Sequence, residues 1–118
     1  MIDRSIWREE LTARFFSPEP WPQPEHYDGW RDLVCDLIDA LDEIGIPYTI
    51  SQIKQKFGEL RCYIMMSEEH PRSDDLRRLI KEAVAKSVTI CELCGSPGEL
   101  RQKACVQTLC PPCFEKKR

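Results

Sequence analysis

Residues 28–66 read DGWRDLVCDLIDALDEIGIPYTISQIKQKFGELRCYIMM, and two different periods follow one another within them. In the first half, Trp30, Leu33, Val34, Leu37, Ile38, Leu41 and Ile44 recur every three or four residues, the apolar stripe of an amphipathic helix. Asp28 suits its N-cap, and Gly45 and Pro47 end it. Cys35 lies off the stripe's centre and reads as a packing residue or a partly exposed thiol. In the second half, Leu60, Cys62, Ile64 and Met66 alternate, as in a half-buried strand. The segment before them changes parity: Tyr48 and Ile50 share one face, Ile53 and Phe57 the other. A bulge near Ser51–Gln52 reconciles the two, and Phe57-Gly58 supplies the turn of a β-hairpin over 48–66. The fold class is α+β.

On the N-terminal side, residues 2–16 read as a first helix, with Ile6, Trp7, Leu11 and Phe15 at helical spacing. The segment SPEPWPQPEHYDG, with Pro18, Pro20, Pro22 and Pro24, excludes a helix. It reads as a stiff connector with Trp21 folded onto the body, the alternative being a proline-rich recognition motif. On the C-terminal side, Leu76, Leu79, Ile80, Ala83, Val84 and Val88 mark an amphipathic helix over 74–88 with Ser73 as N-cap. Its Arg77, Arg78, Lys81 and Lys86 alternate with Asp74, Asp75 and Glu82, the pattern of a solvated face. The expected organisation is an N-terminal helix and Pro-rich tether (1–27), an α+β core of two amphipathic helices on a hairpin (28–89), and a metal module (90–118).

That last module carries the most specific chemistry. Cys91-Glu-Leu-Cys94-Gly95 and Cys110-Pro-Pro-Cys113 are two CxxC turns separated by fifteen residues. A CxxC turn delivers two sulfurs to one ion while its backbone N–H groups hydrogen-bond the thiolates, so the pair predicts one tetrahedral Zn²⁺ on Cys91, Cys94, Cys110 and Cys113. Gly95 suits the positive φ such a turn needs, and strands over 99–102 and 106–109 return the chain to the second turn. A zinc ribbon or treble-clef-like module results. A closed four-thiolate site leaves no position for water or substrate, so its role is structural, and its binding energy helps fold a segment poor in apolar mass. A redox dithiol at Cys110–Cys113, an iron–sulfur cluster, and Cys105 as a substitute ligand account for the pattern less well. His26 and His70, each beside proline or acidic residues, read as solvated surface histidines, and Cys62 has no role in metal binding.

Seven cysteines, an odd number, without an export signal argue for metal over disulfides. The N-terminus MIDRSIWREE has no signal-peptide core and no apolar run approaches a membrane span, so a soluble cytoplasmic protein without membrane contact is expected. The net charge of -3 exerts no overall pull toward nucleic acid. No phosphate-cradling glycine loop, GxSxG or HExxH occurs, and Asp36, Asp39, Asp42 and Glu43 on the central helix read as solubilising charge, so catalysis and a small-molecule substrate are not expected. Lys54, Lys56, Glu59 and Arg61 flank the hairpin turn and form the candidate partner-binding surface; the plainer reading is a charged tip that blocks edge pairing.

The hairpin Gln52-Ile-Lys-Gln-Lys-Phe-Gly-Glu-Leu-Arg61-Cys-Tyr63, preceded by Gly29-Trp30, resembles the QxKEKFGxLRFY core of a family of small phage, prophage and bacterial proteins. Cys91-Glu-Leu-Cys94-Gly-Ser-Pro-Gly-Glu-Leu-Arg101 matches its CExCGxPGxLR segment, and Thr108-Leu109-Cys110 its TLC segment. The resemblance covers about residues 28–113. Two departures are Cys105-Val106 where relatives often carry tryptophan, and Cys113 where they often carry histidine. The resemblance implies a phage-associated zinc protein. The expected function is a non-catalytic adaptor or host-inhibitor module, such as an anti-defence protein, with a protein partner. The alternative is nucleic-acid binding through the basic hairpin tip and zinc module.

Overall fold

The computed structural model describes residues 1–15, 24–102 and 106–116. It is a mixed helix and strand fold with two antiparallel hairpins and a C-terminal cysteine cluster, so the α+β class holds. A 3₁₀ turn over Arg4–Ile6 leads into α1 (Trp7–Thr12), and another over Asp28–Trp30 leads into α2 (Arg31–Ile44). The first hairpin pairs β1 (Thr49–Lys56) with β2 (Glu59–Met65), and α3 (Ser73–Ser87) follows. The second pairs β3 (Glu99–Arg101) with β4 (Gln107–Leu109), and α4 (Pro111–Lys116) closes the chain.

The helix α2 buries the stripe read from sequence: Val34, Leu37, Ile38 and Leu41 join Trp30 in the core, and Gly45 ends the helix at φ 85°. Cys35 is also fully buried, so it is a packing residue and not a partly exposed thiol. The helix α3 adds Leu76 and Ala83 to the same core, to which β1 and β2 contribute Ile50, Ile53, Leu60 and Cys62. The register of β1 on β2 shifts between Ile50 and Gln52, the bulge that the change of parity requires. Phe57 (φ 56°) and Gly58 (φ 80°) both sit in the left-handed region, the type I′ geometry that matches strand twist.

Four expectations need correction. The first helix is short, and Ile6 is exposed; Ile2 takes the place in the core that the spacing gave to Ile6, beside Trp7, Leu11 and Phe15. Asp28 does not cap a helix; its carboxylate accepts from Arg8 at 2.9 Å. The Ser73 hydroxyl accepts from the His70 N–H and no cap bond to α3 is made. The acidic row on α2 is more than solubilising charge. Asp39 accepts from the Ile2 N–H (2.8 Å) and from Arg4, Asp36 also pairs with Arg4, and Asp42 takes Arg14 (3.0 Å) and the Tyr48 hydroxyl (2.6 Å). These bonds hold the N-terminal segment against α2.

That segment also covers the free edge of β1. The Ile50 N–H donates to Arg14 O, the Glu25 N–H to Ile53 O and the Gln55 N–H to Glu25 O, giving parallel bridges at Phe15–Ile50 and Glu25–Lys54. An uncovered edge would offer these groups to another chain. The part of the Pro-rich segment with Pro18, Pro20, Trp21 and Pro22 lies outside the described residues, as does Cys105.

Candidate metal centre

The four predicted ligands converge. The sulfurs of Cys91, Cys94, Cys110 and Cys113 all lie within 4.8 Å of one another, with Cys94 Sγ and Cys110 Sγ 3.5 Å apart. Arms of about 2.3 Å in a tetrahedron give sulfur–sulfur edges of about 3.8 Å, so the cluster has the dimensions of a four-thiolate metal site. Local backbone bonds build it: the Gly95 N–H donates to Cys91 O, the Cys91 N–H to Ser96 O, and the Phe114 N–H to Cys110 O. Gly95 has the expected positive φ of 85°. The strands β3 and β4 carry the chain from one turn to the other, as the spacing predicts.

The electrostatics of the cluster are compatible with a bound cation. The Cys94 thiol is lowered to about 6, first because the Ser96 hydroxyl and backbone N–H donate to its sulfur and then through Cys110. Cys113 is pushed up to about 12, first by its hydrogen bond to Cys110, then by burial and by the neighbouring sulfurs. Four sulfurs this close share protons unless a positive ion neutralises them, and a bound divalent metal holds all four as thiolates. Cys91 and Cys110 are buried, Cys113 is half-buried and Cys94 is exposed. Cys35 and Cys62 lie in the main core instead, where burial pushes their thiols up to about 11 and about 12.

The cluster is joined to the core by residues whose role the sequence reading missed. Glu92, between the first two ligands, is fully buried; its carboxyl group accepts from the Tyr27 N–H (3.2 Å) and from Gln107 Nε2 (3.1 Å). Its backbone O accepts from the Gly29 N–H at 2.7 Å, and its own N–H donates to Thr108 O. A Cβ on Gly29 would stand 2.2 Å from Cys91 O and 2.4 Å from Glu92 O, so only glycine permits this approach. Trp30 Nε1 donates to Ile90 O, and the Thr108 hydroxyl donates to Gly58 O at 2.7 Å. A Cβ on Gly58 would meet Leu100 Cδ1 at 2.3 Å. Gly29-Trp30, Gly58, Cys91-Glu92 and Thr108 thus meet at one joint. No local signal marked Glu92, because a glutamate between two cysteines reads as an ordinary exposed residue.

His26 corrects another expectation. It is buried, stacked on Trp7 with ring centres 5.3 Å apart and tilted against Trp30 at 5.9 Å, with Nδ1 2.9 Å from Tyr27 O. Burial lowers its pKa to about 4, so it is neutral near pH 7. His70 is half-buried, and neither histidine joins the sulfur cluster.

The predicted partner residues form one face of the first hairpin. Lys54 pairs with Arg61 and Lys56 with Glu59 across the strands, while Ile53, Leu60 and Cys62 point into the core. Lys56 is exposed, Lys54, Glu59 and Arg61 are half-buried, and Arg61 reaches Glu59 at 3.2 Å. Tyr63 continues this face, and Phe57 at the tip is 65% exposed.

Fold and site together define a small α+β protein with a cluster of four cysteines in its C-terminal quarter that could hold a metal ion. No protein-family model, no curated protein and no solved structure matches this chain. Among the described residues, no helix is long and apolar enough to cross a membrane.

Proposed function

We propose that the chain is a zinc-stabilised binding module without catalysis, which recognises a protein partner through the outer face of its first hairpin. The observation that supports this is the composition of that face. Lys54, Lys56, Glu59 and Arg61 are cross-strand neighbours beside exposed Tyr63 and Phe57. Aromatic and arginine side chains with a mixed-charge surround are typical of protein interfaces. Four thiolates complete a tetrahedral zinc shell and leave no open position for chemistry, which fits a structural ion. Following the family resemblance, the protein acts in the cytoplasm of a bacterial host, and its partner is a host protein, such as a component of a defence complex.

One observation favours nucleic acid as a second reading. Residues 1–44 carry four basic and eleven acidic side chains, whereas residues 45–118 carry thirteen basic and nine acidic ones. The acidic net charge therefore comes from the N-terminal part, and the hairpin and cysteine module belong to the basic remainder.

The test is a photo-crosslinking amino acid placed at Tyr63, with Glu82 on α3 as control, followed by the double reversal Lys54→Glu/Lys56→Glu. A single protein band crosslinked from Tyr63, absent from Glu82 and lost in the reversal, supports the protein reading. A salt-dependent shift of single-stranded oligonucleotide that the reversal abolishes supports the second. Either signal persisting in a reversal variant with unchanged zinc content and Tm, or neither appearing with the wild type, removes the hairpin face as the recognition surface.

A further inference from the structure

We propose that the metal centre is also an oxidation site, at which a hydroperoxide links Cys94 to Cys110 and releases the zinc. The inference rests on the zinc reading above. Bound metal holds all four sulfurs as thiolates, so access decides which one a peroxide meets. The four are unequal in this respect. Cys91 and Cys110 are 0% and 4% exposed and Cys113 is half-buried, but Cys94 is exposed. A sulfur of the other turn is in close reach: Cys110 Sγ lies 3.5 Å from Cys94 Sγ, and all four sulfurs lie within 4.8 Å of one another. An oxidised Cys94 therefore has a resolving thiolate within reach without rearrangement of the fold.

The chemistry balances. With hydrogen peroxide, Cys94 Sγ attacks one oxygen, the O–O bond breaks, and the departing hydroxide takes a proton from solvent to become water, leaving a sulfenic acid; an organic hydroperoxide leaves as the alcohol instead. Cys110 Sγ then attacks the Cys94 sulfur, the S–O bond breaks, and that hydroxide leaves as a second water. Two thiolates lose two electrons and one peroxide gains them. The ion loses two of its four ligands, and the remaining Cys91 and Cys113 do not make a closed site.

The consequence reaches the hairpin. Cys110 follows β4, whose Thr108 hydroxyl holds Gly58 O, and Cys91 precedes Glu92, which holds Tyr27 and Gly29. Loss of the ion loosens both anchors of that joint, so oxidation changes the support of the proposed recognition face.

The experiment treats zinc-loaded wild-type protein with hydrogen peroxide. Released zinc is followed with a chromophoric chelator, intact mass is recorded, and tryptic peptides are sequenced. The expected result is loss of about one zinc per chain in step with a mass decrease of about 2 Da and a bond between Cys94 and Cys110 in peptides 87–101 and 104–116, reversed by a thiol reductant and added zinc. Cys94→His keeps a ligand but removes the exposed sulfur, and should slow release by about tenfold or more, whereas Cys113→His should not. Retained zinc under peroxide, a first bond within one CxxC turn or to Cys105, or equal release from Cys94→His and wild type overturns the proposal. Protein purified without zinc would instead overturn the metal reading itself; zinc-loaded protein that keeps its ion overturns only this inference.

Discussion

Replacing Gly29 with alanine tests the joint between the cysteine module and the core. The added Cβ would lie 2.2 Å from Cys91 O and 2.4 Å from both the carbonyl carbon and oxygen of Glu92. These are backbone atoms, so no side-chain rotation relieves the contact. Restoring ordinary separation moves the two segments apart by about 1 Å, which stretches the Gly29 N–H to Glu92 O bond from 2.7 Å beyond hydrogen-bonding range. Overpacking of this kind costs about 1–3 kcal/mol, and a buried donor and acceptor left unpaired cost about as much again. We therefore expect a loss of about 3 kcal/mol or more. With about 2.1 cal/mol/K of unfolding entropy per residue, that is a drop in Tm of about 12 °C or more. Gly45→Ala is the control: nothing lies within 4 Å of its added Cβ, so only the strain of a non-glycine residue at φ 85° remains, about 1 kcal/mol. Calorimetry on both zinc-replete variants decides. Gly29→Ala melting no lower than Gly45→Ala would refute the docking described here, and the retention of about one zinc per Gly29→Ala chain would show that the joint, not ligation, was lost.

Other consequences follow from the same structure. Leu37→Asp places a charge in the core beneath α2 and should prevent cooperative unfolding in a thermal scan; a normal transition would mean that α2 does not face the core. Asp39→Ala removes the acceptor of the Ile2 N–H and of Arg4 and should cost about 1–2 kcal/mol, whereas Glu43→Ala should lie within about 0.5 kcal/mol of wild type; equal effects in urea melts would show that the N-terminal segment is not held at Asp39. His26 is neutral when folded, with its pKa lowered to about 4 from the ordinary 6.5, so the unfolded chain binds a proton first as pH falls. Stability is thus insensitive to His26 above pH 6.5, and up to about 3 kcal/mol is lost between pH 6.5 and about 4. His26→Phe keeps a ring between Trp7 and Trp30 but should show a shallower loss over that interval; parallel pH profiles would contradict the assignment.

Much of this architecture is legible from sequence because it rests on local rules. The stripe from Trp30 to Leu41, the parity change at Ser51–Gln52, and the two CxxC turns each encode their geometry within a few residues. What stayed hidden depends on contacts between distant segments. His26 reads as a surface residue until Trp7 and Trp30 close around it, and Asp39 reads as surface charge until Ile2 and Arg4 reach it from more than thirty positions away. Glu92 offered no local pattern, because its partners Tyr27, Gly29, Gln107 and Thr108 come from both ends of the chain. The joint also gives Gly58 a structural reason, packing against Leu100 and accepting from Thr108, that is independent of what the outward face of the hairpin binds.

The claim on which the rest depends is that Cys91, Cys94, Cys110 and Cys113 hold one zinc ion. Native mass spectrometry with elemental analysis, on protein purified without chelator, measures it directly. About one zinc per chain is expected, retained in Cys62→Ala and lost in Cys91→Ser. Metal-free folded protein, iron with sulfide, or zinc that survives Cys91→Ser but not Cys62→Ala would contradict it.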